Sequence, residues 1–572
     1  MRAKTRGLIY FIVGFSIVIC NAQIAFENIP AQLGVSIPCG NTYLGNGITF
    51  FDYDNDGWDD LSIASSNGDP VHFLKNINGF FAYQTLNIEL PQDHQSRQVN
   101  WVDIDNDGDN DLFITSDTHG NSLYENLGNM VMQDITASCG MLEEVFPYYG
   151  ASWGDYNNDG FLDVFISIRD PQIPSILYKN NGNKTFTLVN SEAGLVNEGM
   201  MSFCSAFLDY DNDGDQDIYV SNDKTQWPNL LYRNNGNGTF TEIGEDSGTR
   251  IFIDAMSVTI DDVNADGWLD IYVTDDSDDS VLFINNTDGT FTDMALDYGV
   301  TFNNFGWGAI FLDADNDNDL DLYVSGETDG SLPQYESSMF YENRGELPFV
   351  PTNSAIPFDF SWSYSNAIGD IDNDGYTDFV VNNINHPNIS VWKNQTPQDN
   401  NWLKVRLEGT VSNRNGVGSL IEISINGEKQ YRYTLIGEGY LSQNSGTEIF
   451  GIGTASNIDY VKVKWLSGLE DTLYNVAANQ TLTIVEASTL SVKELGLAKF
   501  SYYPNPVQSK LYVKAETEIE ELTVFNVLGQ RVMKQVSNSP DSDLDMSGLS
   551  TGKYYVKVKV AGFTETVGIL KE

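Results

Sequence analysis

Apolar and polar residues alternate at period two in seven short runs. They are LSIAS from Leu61, LFITS from Leu112, VFISI from Val164, IYVSN from Ile218, IYVTD from Ile271, LYVSG from Leu322 and FVVNN from Phe379. β-Branched and aromatic residues dominate them, so each predicts a β-strand. Stretches such as GITFF, GASWG and WGAIFL come just before, with the same character. No flank shows helical spacing.

A second signature follows each run: LYENLGN at Leu123, LYKNNGNKTF at Leu177, LYRNNGNGTF at Leu231 and LFINNTDGTF at Leu282, with weaker forms at Phe73, Phe340 and Val391. Asn-Gly and Asp-Gly supply the positive φ of tight hairpins, so this reads strand, hairpin, strand. Segments such as FTLVNSEAGL, FTEIGEDSGT and FTDMALDYGV close the unit. About four strands fit one period, as in a propeller blade, and seven copies predict an all-β, seven-bladed β-propeller over residues 23–398. The closing segment follows units one to six. For the seventh, FENIPAQLGV at Phe26 precedes the first unit. The N-terminus is therefore expected to supply the last strand of blade seven and leave no open edge.

The pattern changes after Thr396. Residues 399–486 keep strand periodicity in NWLKVRLEG, SLIEISING and VKVKWLSG, and predict a separate small β domain. A polar linker at 487–498 leads to a β-rich module at 499–572. At the other end, Arg2, Lys4 and Arg6 precede an apolar run from Leu8 to Ile19 and a small-residue exit at Cys20-Asn21-Ala22. Residues 1–22 read as a secretory signal peptide, with a lipid anchor at Cys20 as the minor alternative. No other stretch approaches the length of a transmembrane span.

Composition adds a charge problem. The 572 residues carry a formal net charge of −51, from 81 acids and 30 bases. Of those acids, 31 fall in seven nine-residue phrases or the residue just before each, between the paired strands. Nucleic acid is not an expected partner, because phosphate binding needs clustered Lys and Arg. Three cysteines beyond the signal segment, Cys39, Cys139 and Cys204, rule out a complete disulfide framework. One pair is possible; small buried residues are the favoured reading.

The phrases begin at Asp52, Asp103, Asp155, Asp209, Asp262, Asp313 and Asp370, in steps of 51, 52, 54, 53, 51 and 57 residues. Oxygen-bearing side chains stand at the first, third, fifth and ninth positions. These are Asp52, Asp54, Asp56 and Asp60 in loop 1, then Asp103, Asp105, Asp107 and Asp111 in loop 2. Loop 3 has Asp155, Asn157, Asp159 and Asp163, and loop 4 has Asp209, Asp211, Asp213 and Asp217. Loop 5 has Asp262, Asn264, Asp266 and Asp270, and loop 6 has Asp313, Asp315, Asp317 and Asp321. Loop 7 has Asp370, Asp372, Asp374 and Asp378. Calcium takes six to eight oxygens, mostly carboxylate and carbonyl, and this spacing suits it. Glycine stands at the sixth position except at Asn318, where the chain must turn sharply. The seventh residue, free to vary, offers only its carbonyl. An EF-hand is excluded, because it needs helices on both sides. Up to seven Ca²⁺ are expected, with weaker binding where Asn157 and Asn264 replace a carboxylate.

These loops, with their LYxNxGxGTF hairpins, resemble FG-GAP/VCBS repeats of integrin-α-like propellers. The resemblance implies one structural Ca²⁺ per blade. Residues 399–486 resemble the ASPIC/UnbV domain found behind such propellers, as in the cartilage acidic protein family. SNRNGVGS from Ser412, GEGYLSQN from Gly437, FGIG from Phe450 and VKWLSG from Val463 carry it. Residues 499–572 resemble the type A sorting domain of type IX secretion in the Bacteroidota, through YPNP at Tyr503, VFNVLGQRV at Val524 and LSTGKYYVKV at Leu549. That implies the type IX machinery as a partner, passage through the periplasm, and a secreted or outer-surface location.

No catalytic signature emerges. His72, His94, His119 and His386 show no metalloenzyme spacing and read as surface residues. GEGYLSQNSG lacks the Lys and helix of a phosphate loop and reads as a turn. The favoured function is a non-enzymatic, Ca²⁺-stabilised adhesion protein binding an extracellular glycan or protein. The alternative is a secreted polysaccharide-active enzyme on the same scaffold.

Overall fold

The structure, a computed structural model, describes residues 24–38, 42–66, 68–276, 280–328, 331, 337–384, 388–488, 500–527, 530–560 and 563–572. The expected signal segment, Cys39, His386 and all but the first two residues of the expected linker lie outside these. The chain is all-β and divides into two compact units, the first ending at Ser488.

Among the described residues the first unit contains seven repeat sheets, each of four antiparallel strands, with a fifth, parallel strand added to that of the first repeat. The third repeat is typical: Tyr148–Gly154, Asp163–Ile168, Ile176–Asn180 and Phe186–Leu188 in simple meander order. Each acidic loop joins the first strand to the second. First strands are largely buried, even at the polar positions of Ser96–Val102, while the seventh begins on the exposed Trp362. They neighbour one another in cyclic order, with Ile48–Phe51 of the first repeat beside Trp362–Gly369 of the seventh. The sheet of repeat seven is completed by Phe26–Asn28, antiparallel to Ser390–Asn394, with Phe26 opposite Asn394. The N-terminal clasp is where the orphan closing segment put it.

The small β domain has two sheets. Thr447–Gly451, Trp402–Glu408 and Gln480–Val485 form one; Glu428–Tyr433, Leu420–Ile425, Asn457–Lys464 and Glu470–Ala477 form the other. It packs in the same compact unit as the repeats. Its segment Ile436–Gln443 enters the middle of the ring of first strands. Ser442 and Gln443 pair in parallel with Ile48 and Thr49. Trp153 N–H donates to Ile436 O at 2.9 Å, and Gly439 N–H to Val258 O at 2.7 Å. Tyr440 and Leu441 are buried among Tyr149, Phe203, Met256, Trp307 and Tyr364. The Tyr440 hydroxyl donates to Leu44 O at 2.7 Å. GEGYLSQN is a turn, as expected, but a buried one. Gly437 has φ +89°, and a Cβ there would lie 2.0 Å from Ala151 O, so no other residue fits.

The second unit is a sandwich-like β module built on the long strand Lys510–Asn526. Its first half pairs with Phe500–Tyr503 and its second with Gly552–Val560, with register shifts between Lys514 and Glu521. That bend folds the sheet over a core of Val513, Leu522, Val524, Val556 and Val558.

Cys139 and Cys204 are buried free thiols. Among the histidines, the structure corrects one reading. His94 is buried, not at the surface, and its ring stacks on His119 with centroids 5.8 Å apart.

Removing the Tyr440 ring would leave a cavity where five sheets meet. Tyr440→Ala is expected to destabilise the first unit by about 3–5 kcal/mol, read as a lower melting temperature and denaturant midpoint. A shift within experimental error would show that the inserted segment is not part of the core.

Candidate metal centres

Each loop is shaped by its own carboxylates. The first Asp accepts two backbone N–H groups of its loop, from the fifth residue at 3.0–3.2 Å and the sixth at 2.7–3.0 Å. Tight winding of this kind needs left-handed backbone. The fourth residue has φ between 54° and 62°, and the sixth between 82° and 98°, Asn318 included at 94°. Asparagine tolerates this region better than other residues with a side chain. It stands at the fourth position in six loops, with Ala265 as the exception.

The ninth Asp is a clamp in all seven copies. One oxygen accepts the N–H of the second loop residue at 2.7–3.3 Å. The other accepts the N–H of the asparagine that ends the third strand, or in repeat 6 of Asn343 just after it, at 2.6–2.8 Å. A buried carboxylate holding two amides pins the hairpin to the loop.

Five loops bring three carboxylates together, one oxygen of each within 4.8 Å of the others. They are Asp52, Asp54 and Asp60; Asp103, Asp105 and Asp111; Asp209, Asp211 and Asp217; Asp313, Asp315 and Asp317; and Asp370, Asp372 and Asp374. In loops 1, 2 and 4 the ninth Asp completes the trio, and in loops 6 and 7 the fifth does. Loops 3 and 5, with Asn157 and Asn264, hold no such trio among the described residues. The third-position side chain supplies the test of fit. Oδ1 of Asp54, Asn157, Asp211 and Asp372 is buried with no hydrogen-bond partner in the protein. A buried bare oxygen among carboxylates is costly unless a cation accepts it. The hard oxygen donors suit a cation such as calcium.

Protons are the alternative source of neutrality. Burial pushes Asp103 and Asp155 up to about 6, and Asp209, Asp262 and Asp313 up to about 7. At the clamp position it pushes Asp111 to about 8 and Asp60 to about 9.

Two asparagine series link neighbouring loops, with no such bond among the described residues between loops 5 and 6, where Ala265 stands at the fourth position. The fourth-position Asn reaches the sixth carbonyl of the next loop: Asn55 to Gly108 O at 3.0 Å, Asn106 to Gly160 O at 2.7 Å, Asn212 to Gly267 O at 3.0 Å and Asn316 to Gly375 O at 3.1 Å. Asn373 reaches Gly57 O of loop 1 at 2.9 Å. The strand-ending Asn reaches back, as Asn76 does to Ile371 O of loop 7 at 2.8 Å and Asn234 to Tyr156 O of loop 3 at 2.7 Å. Their signal was present: Asn recurs at both places in register with the phrase.

The small β domain touches every loop. Arg406 reaches Asp52 of loop 1, and Arg414 N–H donates to Asn106 Oδ1 of loop 2 at 2.8 Å. Val411 lies against Gly160 of loop 3, and the Tyr433 hydroxyl is 3.4 Å from Gln216 Nε2 of loop 4. Tyr431 covers Gly267 of loop 5, Gly453 N–H donates to Asn316 O of loop 6 at 2.9 Å, and Trp402 covers Gly375 of loop 7.

Comparison with known proteins agrees with this anatomy. The FG-GAP-like repeat model matches residues 52–114, 103–166, 209–273 and 262–324, spans that hold loops 1 to 6. The ASPIC and UnbV model matches residues 409–491, and the secretion system C-terminal sorting domain matches 501–571. The chain is thus a propeller-like FG-GAP repeat protein with an ASPIC/UnbV domain and a secretion sorting tail. It is similar to cartilage acidic protein 1 of Xenopus tropicalis, 24% identical over 485 residues, 75% of this chain and 71% of that one. Among solved structures it overlaps the BP39L lectin of Burkholderia pseudomallei at 12% identity, covering 59% of this chain and 93% of that one, with a TM-score of 0.40. It also overlaps PorZ of Porphyromonas gingivalis at 10% identity, 93% and 82% coverage, with a TM-score of 0.19. The sorting domain indicates export, to secretion or outer-surface attachment. No helix of the described residues is long and apolar enough to cross a membrane.

The raised carboxylates give a pH prediction. A native value above the unfolded one means the folded protein holds protons that the unfolded chain has released. That stabilisation is complete below about pH 4 and is lost as pH rises through the native values. Cation-free protein is therefore expected to melt at progressively lower temperature from pH 5 to pH 8, and saturating divalent cation to abolish the decline. Scanning calorimetry in EDTA and in excess Ca²⁺ checks both.

Proposed function

We propose that the protein is a secreted or outer-surface calcium-binding adhesin built on a seven-bladed propeller. It binds an extracellular glycan or protein and carries no catalytic activity of its own. The observation that carries the calcium reading is the set of buried, unpartnered third-position oxygens beside converging carboxylates. Calcium bound there supplies the charge that the loops lack. The chain's own residues hold it: the first, third, fifth and ninth side chains of each loop, with the seventh carbonyl. Asn157 and Asn264 make loops 3 and 5 the less charged sites.

Seven sheets, cyclic contact of their first strands and the Asn373–Gly57 link support the closed seven-blade ring. The ASPIC/UnbV domain lies over the loops, so recognition falls to the opposite rim, where second strands turn into third strands. That rim differs from repeat to repeat, as a specific surface must. Export through the periplasm by the type IX machinery follows from the sorting tail, and with it an origin among the Bacteroidota.

Chelation is expected to lower the melting temperature by 10 °C or more, on the order of the shift that several kcal/mol of linked binding produces. Calcium, added back, restores it. An unchanged curve in EDTA would defeat the structural-calcium reading. For the ligand, mature protein on a glycan and matrix-protein array should show calcium-dependent retention without turnover. Depolymerisation of any polysaccharide on the panel would favour the enzyme instead.

A further inference from the structure

The seven loops are not equally charged, and the difference lies in where the protein's own cations sit. In the ASPIC/UnbV domain, alternate residues of the strand Trp402–Glu408 face the loop rim. Lys404 Nζ is 3.0 Å from Asp370 Oδ2 and 2.6 Å from Asn373 Oδ1 in loop 7. Both partners of that ion pair are buried. Two residues on, Arg406 Nη1 is 2.9 Å from Asp52 Oδ2 in loop 1, and its Nη2 contacts Asn55. A second cation reaches each of the same loops from its own third strand, as Lys179 reaches Asp159 of loop 3 at 3.1 Å. Lys75 pairs with Asp54 and, at 2.8 Å, with Asp56; Lys393 pairs with Asp372.

Loops 2 to 6 differ. Among the described residues no ion pair reaches their first-position Asp, although Lys464 and Arg432 of the ASPIC/UnbV domain attract Asp209 of loop 4 and Asp313 of loop 6 from farther away. In loop 2, Lys184 lies 2.7 Å from Asp105 but is shared with Glu125. In loop 6 the residue corresponding to Lys75 is Glu342, itself paired with Arg344. In loop 5 it is Ile284.

We propose that Lys404 and Arg406 are built-in counter-ions that make loops 7 and 1 the last and weakest calcium sites. They hold the ring closed when calcium is scarce. This rests on the calcium reading above. The cations take Oδ2 of the first Asp, the oxygen that also accepts the sixth residue's N–H. Oδ1 stays turned into the loop, where it accepts the fifth residue's N–H. An ion and a counter-ion are thus held on opposite sides of one carboxylate. A unit charge fixed about 6 Å from a divalent ion lowers its affinity about tenfold even at the dielectric of water. The same charge balances the carboxylate when the ion is absent. Loops 7 and 1 are the pair joined by Asn373 and Gly57, between the last repeat and the first. At this seam the ring closes without a chain connection between its loops.

Calorimetric titration of Ca²⁺ into the stripped, full-length protein tests this. Wild type is expected to show a tighter class of sites and two equivalents about tenfold weaker, or too weak to register. Lys404→Gln and Arg406→Gln should each move one equivalent into the tighter class, and the double variant two. Lys404→Arg and Arg406→Lys should keep the wild-type isotherm. In EDTA the double variant should melt below wild type, with the gap closing in saturating Ca²⁺. Lys75→Gln and Lys393→Gln act on the same two loops without touching the domain contact. They should tighten the same equivalents if the first pair does not fold. Unchanged or weakened binding in the variants overturns the proposal, as do seven equal sites in wild type. Absence of any Ca²⁺ binding by wild type would instead overturn the calcium reading itself.

Discussion

Crowded negative charge on one rim is the constraint to which the rest of this molecule answers. Each acidic loop winds tightly because its first Asp accepts the loop's own amides, and in five of the seven that winding brings three carboxylates together. Burial then removes the water that would screen them. The structure meets the resulting repulsion in three ways. Clamp carboxylates such as Asp163 and Asp217 spend both oxygens on backbone N–H groups. Lysines and arginines enter from the hairpins and from the ASPIC/UnbV domain. The bare third-position oxygens that remain are the ones a bound cation would satisfy.

The ASPIC/UnbV domain is therefore a working part of the repeat array. Its inserted segment fills the middle of the seven first strands, and its sheets lie on the seven loops. A polar, Gly-rich stretch ends up buried because the channel offers it matched backbone partners: Trp153, Val258, Ile48 and Thr49 each meet it in β-like register. Gly437 is required there by the approach of the Ala151 carbonyl. Charge and shape act together across this contact, since the domain brings Lys404 and Arg406 to carboxylates that their own repeats leave unpaired.

Repetition explains why so much was legible beforehand. Strand positions, hairpins and the N-terminal clasp all follow from alternation and from one segment missing after the seventh unit. The first-position Asp residues and the turn at Asn318 were readable because the same chemistry recurs at fixed spacing. His94 was misread because nothing local distinguishes a buried imidazole from an exposed one; burial comes from the loop Pro91–Gln95 folding onto the second repeat. The cross-loop role of Asn55, Asn106 and Asn373 was hidden for a related reason. Their partners are about fifty residues away or, for Asn373, at the far end of the repeats.

Sequence alone determined the local chemistry: which residues form strands, where the chain must turn, and where acidic side chains recur in each loop. Those properties depend on neighbours within about ten residues, so they survive without knowledge of the fold. Tertiary structure decided which loops receive a protein cation, which rim is covered, and what fills the centre. Lys404 and Asp370 are 34 residues apart, and Arg406 and Asp52 are 354 apart. No spacing rule links such pairs. They meet because loop 7 lies beside loop 1 and one strand of the next domain lies across both.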